Sequence, residues 1–354
     1  MSRWSSVAAA EAPVLRVEDL VVEAHGPKGP VRLVDGVDFS VQRGRTLGLV
    51  GESGSGKSVT CLSVLGVPPQ GTRIARGRIL LNGRALEEST PEEMNALRGV
   101  HMGMVLQDPL TSLNPLLTVG RQITEMFRFR AGIGDRQERR RRAVELMRRV
   151  RIPDPESRLD SYPHQFSGGM RQRIAIAIGI ACNPDLLIAD EPTTALDITV
   201  RLQILDLLRE LQAENGMGMV LVTHDLHLVR RYCDDVAVMY AGRIVERGQV
   251  NAVFARPLHP YTQGLLAAVP RLRGLQRRLE AITGQPPQPG SIAQGCRFAP
   301  RCPQAADDCL SAYPDTRSLP GGQEAACWRT PRIAHLPPAG ARGIPAAVPA
   351  PVDA

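Results

Sequence analysis

The sequence predicts an α/β protein built on a mainly parallel β-sheet that helices cover on both faces. Three short apolar runs, each long enough for one buried strand, are Thr46–Val50, Leu186–Ala189 and Met219–Thr223. Helical patterns follow these runs, as after Asp197, where apolar residues recur with helical spacing. A glycine-rich segment, Gly51–Ser58, comes directly after the first run. Strands that alternate with helices in this way favour parallel pairing.

Two earlier segments predict a second, antiparallel β unit. Val14–Val22 and Val31–Val41 alternate apolar and polar residues, and a Gly/Pro turn lies between them. Later in the chain, Asp197 is a predicted N-cap, and the helix that it starts should end at Gly216.

Composition places the chain among ordinary soluble proteins. It has 354 residues, of which 43% are hydrophobic and 22% charged, with 4% aromatic residues and a net charge of +7. The longest apolar stretch, Ile174–Cys182, is about half the length of a membrane span. Glu11 interrupts the N-terminal alanines, so no secretory signal is predicted. We expect a cytosolic protein whose seven cysteines are reduced.

Much of the positive charge lies in one segment, from about Thr118 to Arg151, that is predicted to be helical. Its arginines include the run Arg139–Arg142. A solvated helix face, partly balanced by Glu138 and Glu145, is the favoured interpretation. Nucleic acid or a phosphate-rich membrane surface remains the alternative.

The segment Gly51–Ser58 has the pattern G-x4-G-K-S, which is specific for phosphate binding. Glycines let the backbone curl around a phosphate, so that its N–H groups and the following helix N-terminus face the anion. Lys57 would reach the β- and γ-phosphates, and the Ser58 hydroxyl would bind Mg²⁺. The residues predicted to contact the nucleotide here are Gly51, Ser53, Gly54, Ser55, Gly56, Lys57 and Ser58.

Two adjacent acids, Asp190 and Glu191, end the apolar strand that begins at Leu186. Side chains alternate along a strand, so the two carboxylates point in different directions. We assign Asp190 to Mg²⁺ and Glu191 to the attacking water, as a general base or positioning group.

The segment Phe166–Arg173, with the sequence FSGGMRQR, resembles the signature motif of ABC-type ATPases. Gln107, Thr194–Asp197 and His224 resemble the Q-loop, D-loop and switch histidine of the same family. The resemblance implies a P-loop NTPase fold with a helical subdomain. It also implies a head-to-tail dimer in which the signature of one subunit closes over ATP held by the other.

Several site roles are implied only by this resemblance. It makes Gln107 and His224 catalytic residues alongside Glu191, and it makes Gln107 a further Mg²⁺ ligand. The nucleotide contacts that it adds are Ser167, Gly168, Gly169 and Asp197.

A closer similarity is to the ATPases of oligopeptide and dipeptide importers. It rests on Gln107–Pro115, Tyr162–Gln165 and Arg256–Thr262. The resemblance implies a second, similar ATPase, so that a heterodimer is expected, together with two membrane permeases and, indirectly, a solute-binding protein. It places the chain on the cytoplasmic face of the inner membrane. Gln107–Pro115 would join the ATP site to a groove for a permease helix.

The family usually has an aromatic residue that stacks on adenine, and Ala24 stands at that position here. Either His25 stacks on the base instead, or discrimination between bases is weaker. We therefore list His25 as a candidate nucleotide contact and expect measurable use of GTP.

Four cysteines, Cys296, Cys302, Cys309 and Cys327, are separated by 5, 6 and 17 residues. Simple zinc sites favour closer pairs. The pattern resembles the C-terminal segment of the peptide-importer ATPases, which in some members holds a 4Fe–4S cluster. A cluster is the favoured expectation, with zinc or free thiols as alternatives.

The predicted organisation has four parts. A flexible leader (1–13) precedes an ABC-type nucleotide-binding domain (14–250), whose helical subdomain covers about 108–180. A small cysteine-containing domain (251–332) and a disordered tail (333–354) follow. The predicted function is ATP hydrolysis that energises import of peptides or a related small solute. The alternative, a soluble ABC-type ATPase acting on nucleic acid or ribosomes, is disfavoured because the chain has one cassette and a short helical insert.

Overall fold

A computed structural model of the chain describes residues 12–26, 29–108, 112–194, 196–268, 282–291, 294–319 and 321–330. Most of the predicted leader (1–13) and all of the predicted tail (333–354) lie outside these residues. So do residues 109–111 of the segment Gln107–Pro115, and Ala195 of Thr194–Asp197.

The strands, in chain order, are β1 (Leu15–Gly26), β2 (Gly29–Val41), β3 (Thr46–Val50), β4 (Thr72–Leu81), β5 (Arg84–Ala85), β6 (Met102–Val105), β7 (Leu186–Asp190), β8 (Gly218–Thr223), β9 (Asp235–Tyr240), β10 (Arg243–Gln249), β11 (Arg317–Ser318) and β12 (Glu324–Ala325). The α-helices are α1 (Lys57–Val64), α2 (Pro91–Leu97), α3 (Val119–Phe129), α4 (Arg136–Arg149), α5 (Pro155–Arg158), α6 (Gly168–Ile180), α7 (Ile198–Asn215), α8 (Leu226–Tyr232), α9 (Val250–Ala255), α10 (Pro260–Ala267) and α11 (Asp307–Ser311).

The larger sheet has the strand order β11-β12-β10-β9-β3-β8-β7-β6. Pairing is parallel from β9 through β3, β8 and β7 to β6, and antiparallel from β9 outward through β10 and β12 to β11. Every residue of β3, β7 and β8 is buried, as expected of strands covered on both faces. The predicted mainly parallel core sheet is therefore confirmed.

A second sheet, of order β2-β1-β4-β5, is antiparallel throughout. Its strands β1 and β2 confirm the two strands predicted from alternation near the N-terminus. Val22, Val34 and other apolar residues from both strands pack with Leu49 and Leu81 in one continuous core. This sheet thus lies directly against the elements that carry the phosphate loop.

The basic segment from about Thr118 to Arg151, predicted to be helical, contains the two helices α3 and α4. Thr118 and Asp135 cap α3 and α4, each accepting a bond from a backbone N–H three residues later. Gly132, with φ of +69°, lies in the turn between them, in a conformation that favours glycine. The caps predicted for α7 are confirmed: Asp197 accepts from the backbone N–H of Val200 at 2.9 Å, and Gly216 ends the helix with φ of +61°.

Acidic side chains lie beside the arginines of α4. Arg140 pairs with Asp160, and Arg141 pairs with both Glu138 and Glu145. Further pairs join Arg148 to Glu156, Arg149 to Glu214 and Arg151 to Glu210. These pairs fit the interpretation of the segment as a solvated helix face.

The C-terminal region, meaning the described residues after 250, continues the core sheet. Strand β12 pairs with β10, and β11 pairs with β12. Phe298 packs with Tyr240 and Tyr261 in a cluster at this end of the molecule. None of the helices in the described part of the chain combines the length and the apolar composition needed to cross a membrane. The division into domains at about residue 250 remains a prediction.

Candidate functional site

Residues 51–56 of the segment Gly51–Ser58 form the turn between β3 and α1, and Lys57 and Ser58 begin the helix, as the sequence predicts. Gly51 has φ of +155°, and a Cβ atom there would lie 2.1 Å from the carbonyl oxygen of Met239. Gly54 and Gly56 have φ of +78° and +103°, a region that other residues seldom adopt. Glycine is therefore required at these positions by the curl of the backbone.

Lys57 lies inside the curl of this loop and is buried. Its Nζ donates to the carbonyl oxygens of Gly51 at 2.9 Å and Glu52 at 3.0 Å. Burial lowers the pKa of Lys57, while the charges of Glu191 and Asp190 oppose that shift. The ammonium group is thus placed where a phosphate cradled by the loop would meet it.

Asp190 ends β7 with a buried carboxylate that accepts a hydrogen bond from Ser58. Burial raises the pKa of Asp190, and the charge of Glu191 acts in the same direction. A hydroxyl and a carboxylate at the start of α1 and the end of β7 therefore meet, and oxygen groups of this kind suit Mg²⁺.

Glu191 follows β7 in a left-handed conformation, with φ of +45°, that is strained for a residue other than glycine. Three side chains donate to or contact its carboxylate: Gln107 Nε2 at 3.2 Å, Thr194 Oγ1 at 2.9 Å and His224 Nδ1 at 3.2 Å. The structure thus brings Gln107, Glu191 and His224 together. Sequence reasoning did not assign a role to Thr194, although it lies in the D-loop motif.

The signature residues lie at the N-terminus of α6. Ser167 caps this helix, and its Oγ accepts from the N–H of Met170 at 3.4 Å. A Cβ atom on Gly169 would lie 2.7 Å from Val200 Cγ1, so the signature packs closely against α7. None of the hydrogen bonds found for the described residues links Ser167, Gly168 or Gly169 to Gly51–Ser58.

The predicted base contact, His25, lies near the end of β1. Its backbone N–H donates to the carbonyl oxygen of Gly71 at 3.3 Å, and its Nδ1 lies 3.4 Å from the same oxygen. His25 itself is solvent-exposed. A contact between His25 and a base remains a prediction.

The C-terminal region reaches the phosphate loop through Glu52, a contact that the sequence did not indicate. Glu52 N–H donates to Tyr261 Oη at 2.9 Å. Its carboxylate accepts two hydrogen bonds from the Arg301 guanidinium, at 2.7 and 3.0 Å. Tyr261 and Arg301 follow Glu52 by more than 200 positions, so no local pattern could reveal the contact.

The four C-terminal cysteines are neighbours. Burial raises the pKa of Cys296 to about 11, and the thiols of Cys327 and Cys309 add to the shift. Burial also raises the pKa of Cys302, to which Cys309 contributes. Among the described residues, however, no three Cys, His, Asp or Glu side chains converge closely enough to hold a single metal ion.

Backbone N–H groups point at several of these sulfur atoms. Gln304 N–H donates to Cys302 Sγ at 3.4 Å, and Arg329 N–H donates to Cys327 Sγ at 3.3 Å. Cys296 receives backbone hydrogen bonds as well. Such bonds favour the thiolate form, which binds metals and clusters, but burial outweighs them and the pKa values of Cys296, Cys302 and Cys327 remain raised.

Comparison with known proteins places these sites in a family. The family model for ABC transporters matches residues 34–194, and the model for the oligopeptide/dipeptide transporter C-terminal region matches residues 245–309. A probable peptide ABC transporter ATP-binding protein of Sinorhizobium fredii is 47% identical over 325 residues, which cover 91% of this chain and 97% of the relative. The chain belongs to the ATP-binding proteins of ABC transporters.

Other relatives support the same family assignment. The dipeptide transport ATP-binding protein DppD of Escherichia coli is 46% identical over 89% of this chain and 96% of its own length. The oligopeptide transport ATP-binding protein AppD of Bacillus subtilis is 45% identical with the same coverage. This ABC protein is therefore an ATPase whose hydrolysis of ATP is coupled to transport.

Solved structures of ABC cassettes share its fold. The ATP-binding cassette MJ0796, in a dimeric post-hydrolysis state bound to ADP and Pi, has a TM-score of 0.60 and 26% identity and covers 67% of this chain and 98% of the cassette. The cbiO1 protein of Clostridium perfringens has a TM-score of 0.58 and 30% identity, covering 69% and 92% of the two chains. The predicted fold class, a P-loop ABC ATPase, is confirmed.

Proposed function

We propose that this ABC ATPase energises the import of peptides or a related small solute. The observation that carries the proposal is the match of residues 245–309 to the C-terminal region of oligopeptide/dipeptide transporters. Relatives named for peptide, dipeptide and oligopeptide transport support it. Nothing in the comparisons favours action on nucleic acid or ribosomes.

In this proposal, Lys57 and the backbone N–H groups of Gly51–Ser58 bind the β- and γ-phosphates. Ser58, Asp190 and Gln107 would hold Mg²⁺, and the meeting of Ser58 with Asp190 in the structure fits that assignment. When bound, the ion would neutralise part of the phosphate charge.

Glu191 orients or deprotonates the water that attacks the γ-phosphate. Gln107, Thr194 and His224 position its carboxylate through the contacts described above. These three side chains come from three different loops. A movement of any one of these loops would therefore shift the Glu191 carboxylate.

The first test replaces Glu191 by Gln, which keeps the shape but removes the basic oxygen. We expect steady-state hydrolysis of ATP by the assembled transporter to fall by about 10²–10⁴-fold, the usual contribution of a positioned proton acceptor. ATP binding should persist, so a dimer with ATP trapped in it should accumulate. Colorimetric phosphate release and gel filtration with labelled ATP measure the two effects.

Glu210→Gln is the matched control, because Glu210 lies on α7 and has an exposed carboxylate that pairs with Arg151. It should hydrolyse ATP at the normal rate. Cells that carry Glu191→Gln should also fail to grow on short peptides that supply a required amino acid. Normal ATP hydrolysis by Glu191→Gln would refute the role of Glu191 in activating water. Normal growth of these cells on short peptides would refute peptide import.

A second ATPase subunit completes the site in this proposal. Ser167, Gly168 and Gly169 would close over ATP held by the partner subunit, with Asp197 nearby. No hydrogen bond among the described residues joins them to Gly51–Ser58 of the same chain, which fits this arrangement, as does the dimeric state of the cassette MJ0796. Following the peptide-importer resemblance, we propose a partner that is a different but similar chain.

Two permeases on the membrane would receive the motion of this dimer, and a solute-binding protein would deliver the solute. An apolar cavity of about 210 Å³ lies between the cassette core and α3 and α6, lined by Leu65, Met102, Met104, Met126 and Ile178. Exposed Val67 and Leu106 lie beside the same elements. We propose that a permease helix docks there, which would hold the chain at the cytoplasmic face of the inner membrane. Membrane association only on co-expression with permeases would support it; association without them would contradict it.

The cysteine region would hold a 4Fe–4S cluster on Cys296, Cys302, Cys309 and Cys327. The thiols are neighbours, since the charges of Cys327 and Cys309 act on Cys296, and Cys302 and Cys327 each accept a hydrogen bond from a backbone N–H. Four thiolates are the usual ligand set of such a cluster. When bound, the cluster would supply the positive iron centres that offset the buried thiolates.

The test is iron and acid-labile sulfide analysis of anaerobically purified protein. We expect about four of each per chain, as the cluster requires, and loss of both in Cys302→Ser. Cys182→Ser, which changes a thiol outside the region, should keep them. Stoichiometric zinc, or no metal, would exclude the cluster.

A further inference from the structure

The second residue of the phosphate loop, Glu52, is held by the C-terminal region at its backbone and at its side chain. Its N–H donates to Tyr261 Oη at 2.9 Å. Arg301 donates from Nη1 to Oε2 at 2.7 Å and from Nη2 to Oε1 at 3.0 Å. This two-point ion pair has the geometry in which guanidinium and carboxylate groups bind best.

The groups that hold Glu52 are themselves fixed. The Arg301 side chain is only 5% exposed, its Nε donates to the carbonyl oxygen of Thr283 at 3.0 Å, and its Nη1 donates to Tyr240 Oη at 3.2 Å. The Tyr261 ring packs on Tyr240 with 4.6 Å between centroids. Tyr240 ends β9, which pairs with β3, the strand that leads into the loop. Arg301 and Tyr261, which hold Glu52, therefore pack against the core sheet.

A carboxylate in a phosphate-binding loop creates an electrostatic problem. Glu52 lies beside the cation of the loop, because its carbonyl oxygen accepts from Lys57 Nζ at 3.0 Å. The negative charge of the Glu52 carboxylate would repel the phosphates of ATP. Arg301 cancels that charge, and the hydrogen bond from Glu52 N–H to Tyr261 fixes the direction of the backbone at the start of the loop.

We propose that Arg301 and Tyr261 are positioning residues for the phosphate loop, which neutralise and orient Glu52 and so raise the affinity of the ATPase for ATP. This inference goes beyond peptide import, because it requires neither permeases nor a particular solute. It assigns a task in nucleotide binding to the C-terminal region. Arg301 directly precedes Cys302, so a structural change at the cysteines would be transmitted to the loop by one residue.

The test measures binding of ATP and ADP to the full chain by isothermal titration. Arg301→Gln should weaken ATP binding by about tenfold, equal to about 1.4 kcal/mol. ADP should be affected less, because it carries less negative charge. The double variant Glu52→Gln/Arg301→Gln should recover most of the lost affinity, since the repelling carboxylate is gone. In the assembled transporter, Arg301→Gln should raise KM for ATP more than it lowers kcat.

Two further variants guard against a trivial loss of folding. Tyr261→Phe keeps the aromatic packing and removes only the acceptor, and should weaken ATP binding by about fivefold, as the loss of one hydrogen bond allows. Arg247→Gln removes another ion pair that joins the C-terminal region to the core, Arg247 to Glu324, and should leave the affinity within twofold of the wild type. The proposal is overturned if Arg301→Gln binds ATP normally, or if the double variant binds ATP as weakly as Arg301→Gln.

Discussion

Helix α4 and the C-terminal region use arginine in opposite ways. On α4, Arg141 pairs with Glu138 and Glu145, yet its side chain is 58% exposed. In the C-terminal region, Arg297 and Arg301 are 17% and 5% exposed. They contact Asp35 in β2 and Glu52 in the phosphate loop, respectively.

We infer from this difference that burial, and not the number of charges, determines how much an ion pair contributes to stability. An exposed pair is screened by water and salt and contributes little. Removing one member of a buried pair leaves the other member without compensation, which is costly. The run Arg139–Arg142 is the most visible basic feature of the sequence. We expect its ion pairs to contribute less to stability than the buried pairs of Arg297 and Arg301.

Asp35→Asn should have the largest effect on stability. Asp35 is almost fully buried and accepts from Arg32, Arg243 and Arg297. We expect the free energy of unfolding to fall by about 3 kcal/mol, because three cations lose their common partner. Chemical denaturation measures the change. Asp160→Asn, which removes the partner of Arg140 on α4, is the matched control and should change it by less than about 1 kcal/mol.

The effect of Asp35 should also depend on pH. Burial alone would raise the pKa of Asp35, but Arg243, Arg297 and Arg32 hold it below the ordinary value of 3.8. A carboxylate with a lowered pKa stabilises the fold above its ordinary pKa, and that stabilisation is lost as the pH falls through the lower, folded-state value. The gap between wild type and Asp35→Asn should therefore close in acid. A constant gap would contradict the buried ion-pair assignment.

Arg141→Gln should have the smallest effect. Its two glutamate partners are themselves partly or largely exposed, so the free energy of unfolding should change little, and by less than in Asp35→Asn. Added salt should reduce even that difference, because screening acts on exposed charges. Denaturation at low and high ionic strength provides the check. A loss as large as that of Asp35→Asn would break the proposed contrast between the two regions.

The parts of this molecule that could be predicted from sequence are those encoded by neighbouring residues. The loop Gly51–Ser58, the acids that end β7 and the N-cap Asp197 are each contained in a short pattern with a specific physical requirement. Their positions relative to one another follow from parallel pairing, because the carboxyl ends of parallel strands meet at one edge.

Other parts depend on distant partners and could not be predicted. Strand β4 contains three arginines and lacks clear alternation, and its pairing with β1 is what defines it. Tyr261 and Arg301 gain their importance from Glu52, far away in the chain. The helical segment predicted from about Thr118 to Arg151 contains two helices, and the turn at Gly132 between them was not predicted.

The pairing of β12 with β10 has a consequence for how the cassette behaves as a separate piece. Only two residue pairs form this ladder, Glu246 with Ala325 and Arg247 with Glu324, but they cover a row of backbone groups on β10. An uncovered strand edge is a template on which another chain can pair and aggregate. We therefore expect a cassette cut after β10 to self-associate more readily, because β12 would no longer cover this strand edge.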